Sequence, residues 1–124
     1  MSLRNWAEAE AALTKGVSLC PDTGAYWVSL GSMRMKLGKR DGAKAAYKSA
    51  LRAFETQAEK NKADAGAWLQ QVYVLALLGR TEDARTLLDK AGKRFPEQRN
   101  VRLFIEGKQF DGMLADPKFK DNAL

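Results

Sequence analysis

The side chains best equipped for chemistry in this chain stand apart from one another. Cys20 is the sole cysteine, and histidine is absent. A thiol becomes a nucleophile when a base or a nearby cation lowers its pKa. With no imidazole to do so, Cys20, placed before Pro21 at an expected helix end, reads as a structural thiol. The same absence removes the commonest general base and the commonest metal ligand. One cysteine alone cannot supply the spacing of a zinc site. Asp64, Asp111 and Asp116 are scattered and lack the spacing of a calcium loop. Gly-x-x-x-Gly patterns are incidental, and no phosphate-cradling loop occurs. The residues therefore predict no catalytic group, no metal site and no cofactor: the chain is not expected to be an enzyme on its own.

The elements that would position these groups are helical. The 124 residues amount to one domain, 45% hydrophobic and 29% charged, as in a globular chain. Alanine, leucine, lysine, arginine and glutamate dominate and favour helix. Pro21, Pro96 and Pro117 all fall at expected helix boundaries. No apolar run approaches the eighteen or so residues of a membrane span, so no membrane partner is expected. The N-terminus has no hydrophobic signal core. One cysteine fits a reducing cytoplasm, the expected location.

Two stretches repeat. From Trp27 the chain runs through Leu30, Gly31, Leu37, Gly38, Ala43, Tyr47 and Ala50; from Trp68 it runs through Gln71, Val72, Leu78, Gly79, Ala84, Leu88 and Ala91. The offsets from each tryptophan agree residue for residue. Small residues at Gly31, Ala43, Ala50, Ala84 and Ala91 would let antiparallel helices approach, and Trp27, Leu30, Tyr47, Trp68 and Leu88 would fill the holes between them. The spacing predicts that both tryptophans are largely buried between the helices of their own repeat. Leu37-Gly38 and Leu78-Gly79 read as C-terminal caps. Thr81 reads as a hydroxyl cap ahead of Glu82 and Asp83, with Asp41 as the acidic counterpart in the first copy.

This pattern resembles the tetratricopeptide repeat, Trp-x₂-Leu-Gly-x₂-Tyr, then Ala-x₃-Phe, then Pro. The first copy matches at Trp27, Leu30, Gly31, Ala43, Tyr47 and Ala50; the second at Trp68, Ala84, Leu88, Ala91 and Pro96. Ala9, Leu13, Gly16 and Pro21 match the second helix of an upstream copy. Arg34 and Leu75 stand where the motif has its tyrosine. The tryptophans are 41 residues apart, against a family period of about 34. The surplus falls within Arg52 to Gly66 and predicts a second helix lengthened by two turns, which keeps its face.

The resemblance implies an all-α fold of antiparallel helix pairs stacked as a right-handed superhelix with terminal capping helices. The expected helices are 3–19, 23–37, 40–60, 64–78, 81–94 and 97–107, with a short seventh over 109–115. Leu3, Trp6, Leu13 and Val17 make the first amphipathic. Val101, Phe104, Ile105 and Lys108 give the sixth an apolar side that would cover the last repeat. As one domain, the chain divides into a half repeat at about 3–22, repeats at about 24–60 and 64–96, and a cap and tail at 97–124. The ending Asp116-Pro117-Lys118-Phe119 is similar to a tail that closes many bacterial repeat arrays. It points to a bacterial-type protein with a natural C-terminus and a shortened N-terminus, or a C-terminal fragment of one.

In this family ligands lie along the concave face made by the first helix of each pair. By resemblance that face carries Val28, Ser32 and Met35, then Leu69, Gln70 and Tyr73. Chaperone-binding members hold a peptide carboxylate there with lysine, asparagine and arginine. Here Val28, Ser32, Leu69 and Tyr73 take those places, so that clamp is absent. An apolar face with a polar edge suits an amphipathic helix or an apolar segment. The chain's own terminal helix or a second copy would fit it equally, and self-association is left open. Arg40, Lys44, Lys48 and Arg52 fall at intervals of four on one helical stripe. A solvated face is the plain reading; an acidic protein or nucleic-acid surface is the sharper one. No aromatic residues interleave with the stripe, so no nucleic-acid partner is expected. The sequence as a whole predicts a protein-interaction scaffold. The alternatives are a binder of nucleic acid or an acidic surface, and a non-catalytic portion of a larger enzyme or secretion component.

Overall fold

The computed structural model describes residues 3–106 and 109–124. Gly107, where the expected sixth helix ends, and Lys108 lie outside the described residues, as do the side chains of Leu3 and Glu106. Among the described residues eight helices follow one another: α1 (Leu3–Leu19), α2 (Gly24–Lys36), α3 (Arg40–Lys60), α4 (Ala65–Leu77), α5 (Thr81–Arg94), α6 (Arg99–Glu106), α7 (Gln109–Ala115) and α8 (Pro117–Asn122). No strand occurs among the described residues. Consecutive helices pack on one another from α1 through α6, and α8 returns to pack on α2.

Small residues set the spacing of the helices. A Cβ at Gly31 would run into the ring of Tyr47, so α2 and α3 touch only because that position is bare. Tyr47 is fully buried as a result, alongside Ala43, Ala46 and Ala50. The lengthened α3 lays Phe54 over the start of α2, where a Cβ at Gly24 would come within 2.6 Å of its ring. Gly38 and Gly79 end α2 and α4 with φ of 76° and 79°, conformations that other residues adopt at a cost.

One local expectation is corrected. Thr81 is the first residue of α5 rather than its cap; Arg80 stands at the cap position and makes no side-chain capping hydrogen bond, its guanidinium pairing with Asp83 at 2.9 Å. Trp27 and Trp68 are covered over most of their surface, each keeping a partly exposed edge. Trp27 keeps its indole N–H near the surface, donating to the Pro21 carbonyl at 2.8 Å. Trp68 meets Phe95 edge-on, 5.5 Å between ring centres. Arg34, the odd residue at the motif's tyrosine place, is neither buried nor idle. Its guanidinium donates to the Gly42 carbonyl at 3.0 Å and pairs with Glu10 of α1 at 3.3 Å. Glu10 also accepts from Lys39 at 2.8 Å. The Lys39 hydrogen bond is the chief cause that holds the Glu10 carboxyl below its ordinary range. A polar lock thus joins α1 to the α2–α3 turn at the place where the repeat motif carries its tyrosine.

Candidate functional site

The six residues assigned to the concave face by resemblance lie on α2 and α4. Val28, Ser32 and Met35 of α2 are half-buried, as are Leu69 and Tyr73 of α4, while Gln70 is exposed. Val28, Met35, Leu69 and Tyr73 all pack against one core cluster. That cluster includes Phe119 of α8, so the face is covered along part of its length by the chain's own C-terminal segment.

The covering is built from specific contacts. Phe119 is buried and its ring tilts against Tyr73, 5.9 Å between centres. The Tyr47 hydroxyl donates to the Asn122 carbonyl at 2.6 Å. A carbonyl only accepts, so the Tyr47 proton is committed and Ser32, 3.5 Å from the same oxygen, must be the donor in that pair. Lys36 donates to the Asn122 side chain at 3.0 Å, and the Leu124 amide donates to the Leu77 carbonyl at 2.8 Å. Burial pushes the hydroxyls of both Tyr47 and Tyr73 above their ordinary range, so both are neutral donors at physiological pH.

Beyond Tyr73 the face opens. A cleft of about 400 Å³ lies between α4 and α6, lined by Gly66, Leu69, Gln70, Tyr73, Asn100 and Phe104. Three of the six expected residues therefore border open space. Ser32 belongs to the tail's anchorage, and Val28 and Met35 lie on the α2 side, where α8 packs.

The scattered carboxylates have structural partners. Asp64 caps α4, accepting from the Ala67 amide at 3.0 Å, and also takes a hydrogen bond from Gln57 at 2.8 Å. The Gln57 bond, followed by the amides, keeps its pKa low. Asp111 pairs with Arg85 at 2.9 Å, holding α7 on α5, and Asp116 caps α8. Cys20 is exposed and unpaired. Arg40, Lys44, Lys48 and Arg52 are all exposed along α3.

Sequence reasoning missed α8 as a helix. The signal was present: Asp116 followed by Pro117 is an N-cap with proline at the first helical position. It also missed the cleft beside Phe104, because no motif specifies the gap between a repeat and its cap. No helix among the described residues is long and apolar enough to cross a membrane.

Family models described as tetratricopeptide repeat match residues 24–57 and 65–105. Among curated proteins and among solved structures, none matches the chain. Together the two matched stretches take in α2 through most of α6, more than half of the chain. Such repeats generally mediate protein–protein contact or scaffolding, and proteins built from them are generally non-catalytic. With matched offsets, all-helical pairs and both repeats recognised, the chain belongs to the tetratricopeptide repeat family.

Proposed function

We propose that this chain is a non-catalytic docking module that takes a short amphipathic helix of a partner protein on its concave face, in the cleft between α4 and α6. The observation that carries this reading is the occupant already present. The chain's own α8 lies against the same face with an aromatic anchor, Phe119, on Tyr73. A surface that seats one short helix by an aromatic anchor is chemically suited to seat another beside it. Tyr73 borders both places, offering a flat apolar surface to each side. The cleft falls within the roughly 300–1,000 Å³ typical of ligand sites, enough for an anchor side chain and its neighbours. We take residues 1–124 as one unit, a half repeat followed by two repeats and a cap. We place it in the cytoplasm, where the exposed thiol of Cys20 would stay reduced.

A photo-crosslinking residue at Gln70, compared with one at Lys44, tests the reading in host extract. Discrete adducts are expected from Gln70 and none from Lys44. Adducts that form equally from both positions, or none from Gln70, would contradict the concave assignment. Adducts of the chain with itself would make tail exchange between copies the better account.

A further inference from the structure

The second copy of the repeat departs from the first at one core position. Three residues after each tryptophan stand Leu30 and Gln71. Leu30 is fully enclosed. Gln71 is nearly so, at 9% exposure, and is the sole buried polar side chain among the described residues. Its amide makes no hydrogen bond to any of them. What little of the residue is accessible carries the polar group, so the amide is left to meet solvent or a ligand.

Gln71 instead faces open space. It lines a cavity of about 370 Å³ between α3 and α5, floored by Trp68 and Gln71 of α4 and sharing no lining residue with the cleft between α4 and α6. It also lines an adjoining hollow of about 300 Å³. Glu55 and Leu87 line both as well, so the two form one trough. The lengthened end of α3 builds one wall. Glu55 and Glu59 stand on it, in the segment that carries the surplus over the family period, and neither is ion-paired among the described residues. Arg94 of α5 forms the facing wall, with Lys90 further along, and Lys62 just past the end of α3 also lines the cavity. Trp68 and Leu87 supply the apolar surface between. The partly exposed edge of Trp68 follows from this opening.

We infer that the trough between α3 and α5 is a second interaction site, which takes an extended peptide segment of a partner protein and pairs one of its backbone amides with Gln71. A primary amide carries both a donor and an acceptor, the complement of a peptide unit. The opposed walls add a charge pattern. A basic side chain of the segment meets Glu55 and Glu59, an acidic one meets Arg94 and Lys90, and an apolar one between them covers Trp68 and Leu87. The site rests on the added turns of α3 and on Gln71, both departures from the repeat pattern.

Panning a randomised linear dodecapeptide library against the full chain, with counter-selection on the Gln71→Leu variant, tests this. That variant restores the leucine of the first copy and should fold with an unchanged or raised Tm. The expected binders carry an apolar residue with a lysine or arginine on one side and an aspartate or glutamate on the other. Their affinity should fall at least tenfold on Gln71→Leu and on the Glu55→Gln, Glu59→Gln double change, and stay within twofold on Leu69→Ala. The side-chain amide resonances of Gln71 should shift during titration. Recovery of no Gln71-dependent binder would overturn the inference. So would binders that ignore Gln71→Leu, lack the charge pattern, or are lost with Leu69→Ala.

Discussion

The two halves of the face proposed for docking share a repeat register but differ in what covers them. On the α2 side, α8 packs down and the Ser32–Tyr47–Asn122 chain of hydrogen bonds closes the contact. On the α4–α6 side, Leu69 and Gln70 border an open cleft. The difference comes from the turns beyond the repeats. Arg85 holds Asp111 and stacks over Phe110, 5.1 Å from the ring centre, which directs the chain back across the face. Where a groove lies follows from the repeat; which part of it is free depends on how the tail returns.

The comparison breaks most visibly at Tyr47. Tyr47→Ala removes a fully buried ring and the tail's hydroxyl anchor together, and should cost about 3–5 kcal/mol in urea unfolding. Phe119→Ala should cost about 3 kcal/mol and free the tail. Leu69→Ala, half-buried at the open cleft, should cost only about 1 kcal/mol by the same measurement, since less apolar area is lost. Equal losses at Phe119 and Leu69 would erase the distinction between the halves. Tyr47→Phe isolates the hydrogen bond to the Asn122 carbonyl and should cost about 1–2 kcal/mol.

A smaller effect tests the lock between α1 and the α2–α3 turn. The Glu10 carboxyl has a folded pKa below its ordinary value of 4.5. Its contribution is therefore present above that value and is lost as pH falls through the depressed folded value. Glu10→Gln should lower stability by no more than about 0.5 kcal/mol at pH 7 and remove that share of the acid dependence in unfolding curves from pH 7 to pH 3. Smallest of all, Lys44→Glu with Lys48→Glu should leave stability within about 0.5 kcal/mol, with no measurable RNA or DNA binding at physiological salt in either form. Tight binding that falls by powers of ten with salt would restore the nucleic-acid alternative.

Much of the frame was legible because it depends on local pattern. Trp27 and Trp68 set the register, and the surplus between them foretold the long α3. The alternation of small and large residues foretold which positions close, as at Gly31 against Tyr47. What escaped depends on contacts distant in sequence. Tyr47 and Asn122 are 75 residues apart, and nothing local to either announces the other. Arg34 was visible as an oddity, but its reason lies in Glu10 on another helix. Gln71 was visible as a mismatch to Leu30, yet its meaning required the cavity above it.

The tail seats against Tyr73 through Phe119 and leaves the α4–α6 cleft open. Nuclear Overhauser contacts between the ring protons of Phe119 and Tyr73, whose centres lie 5.9 Å apart, test it most directly. Clear cross-peaks are expected in the free protein, with Gln70 giving none to any residue of α8. A tail with random-coil shifts and no Phe119–Tyr73 contact would contradict it.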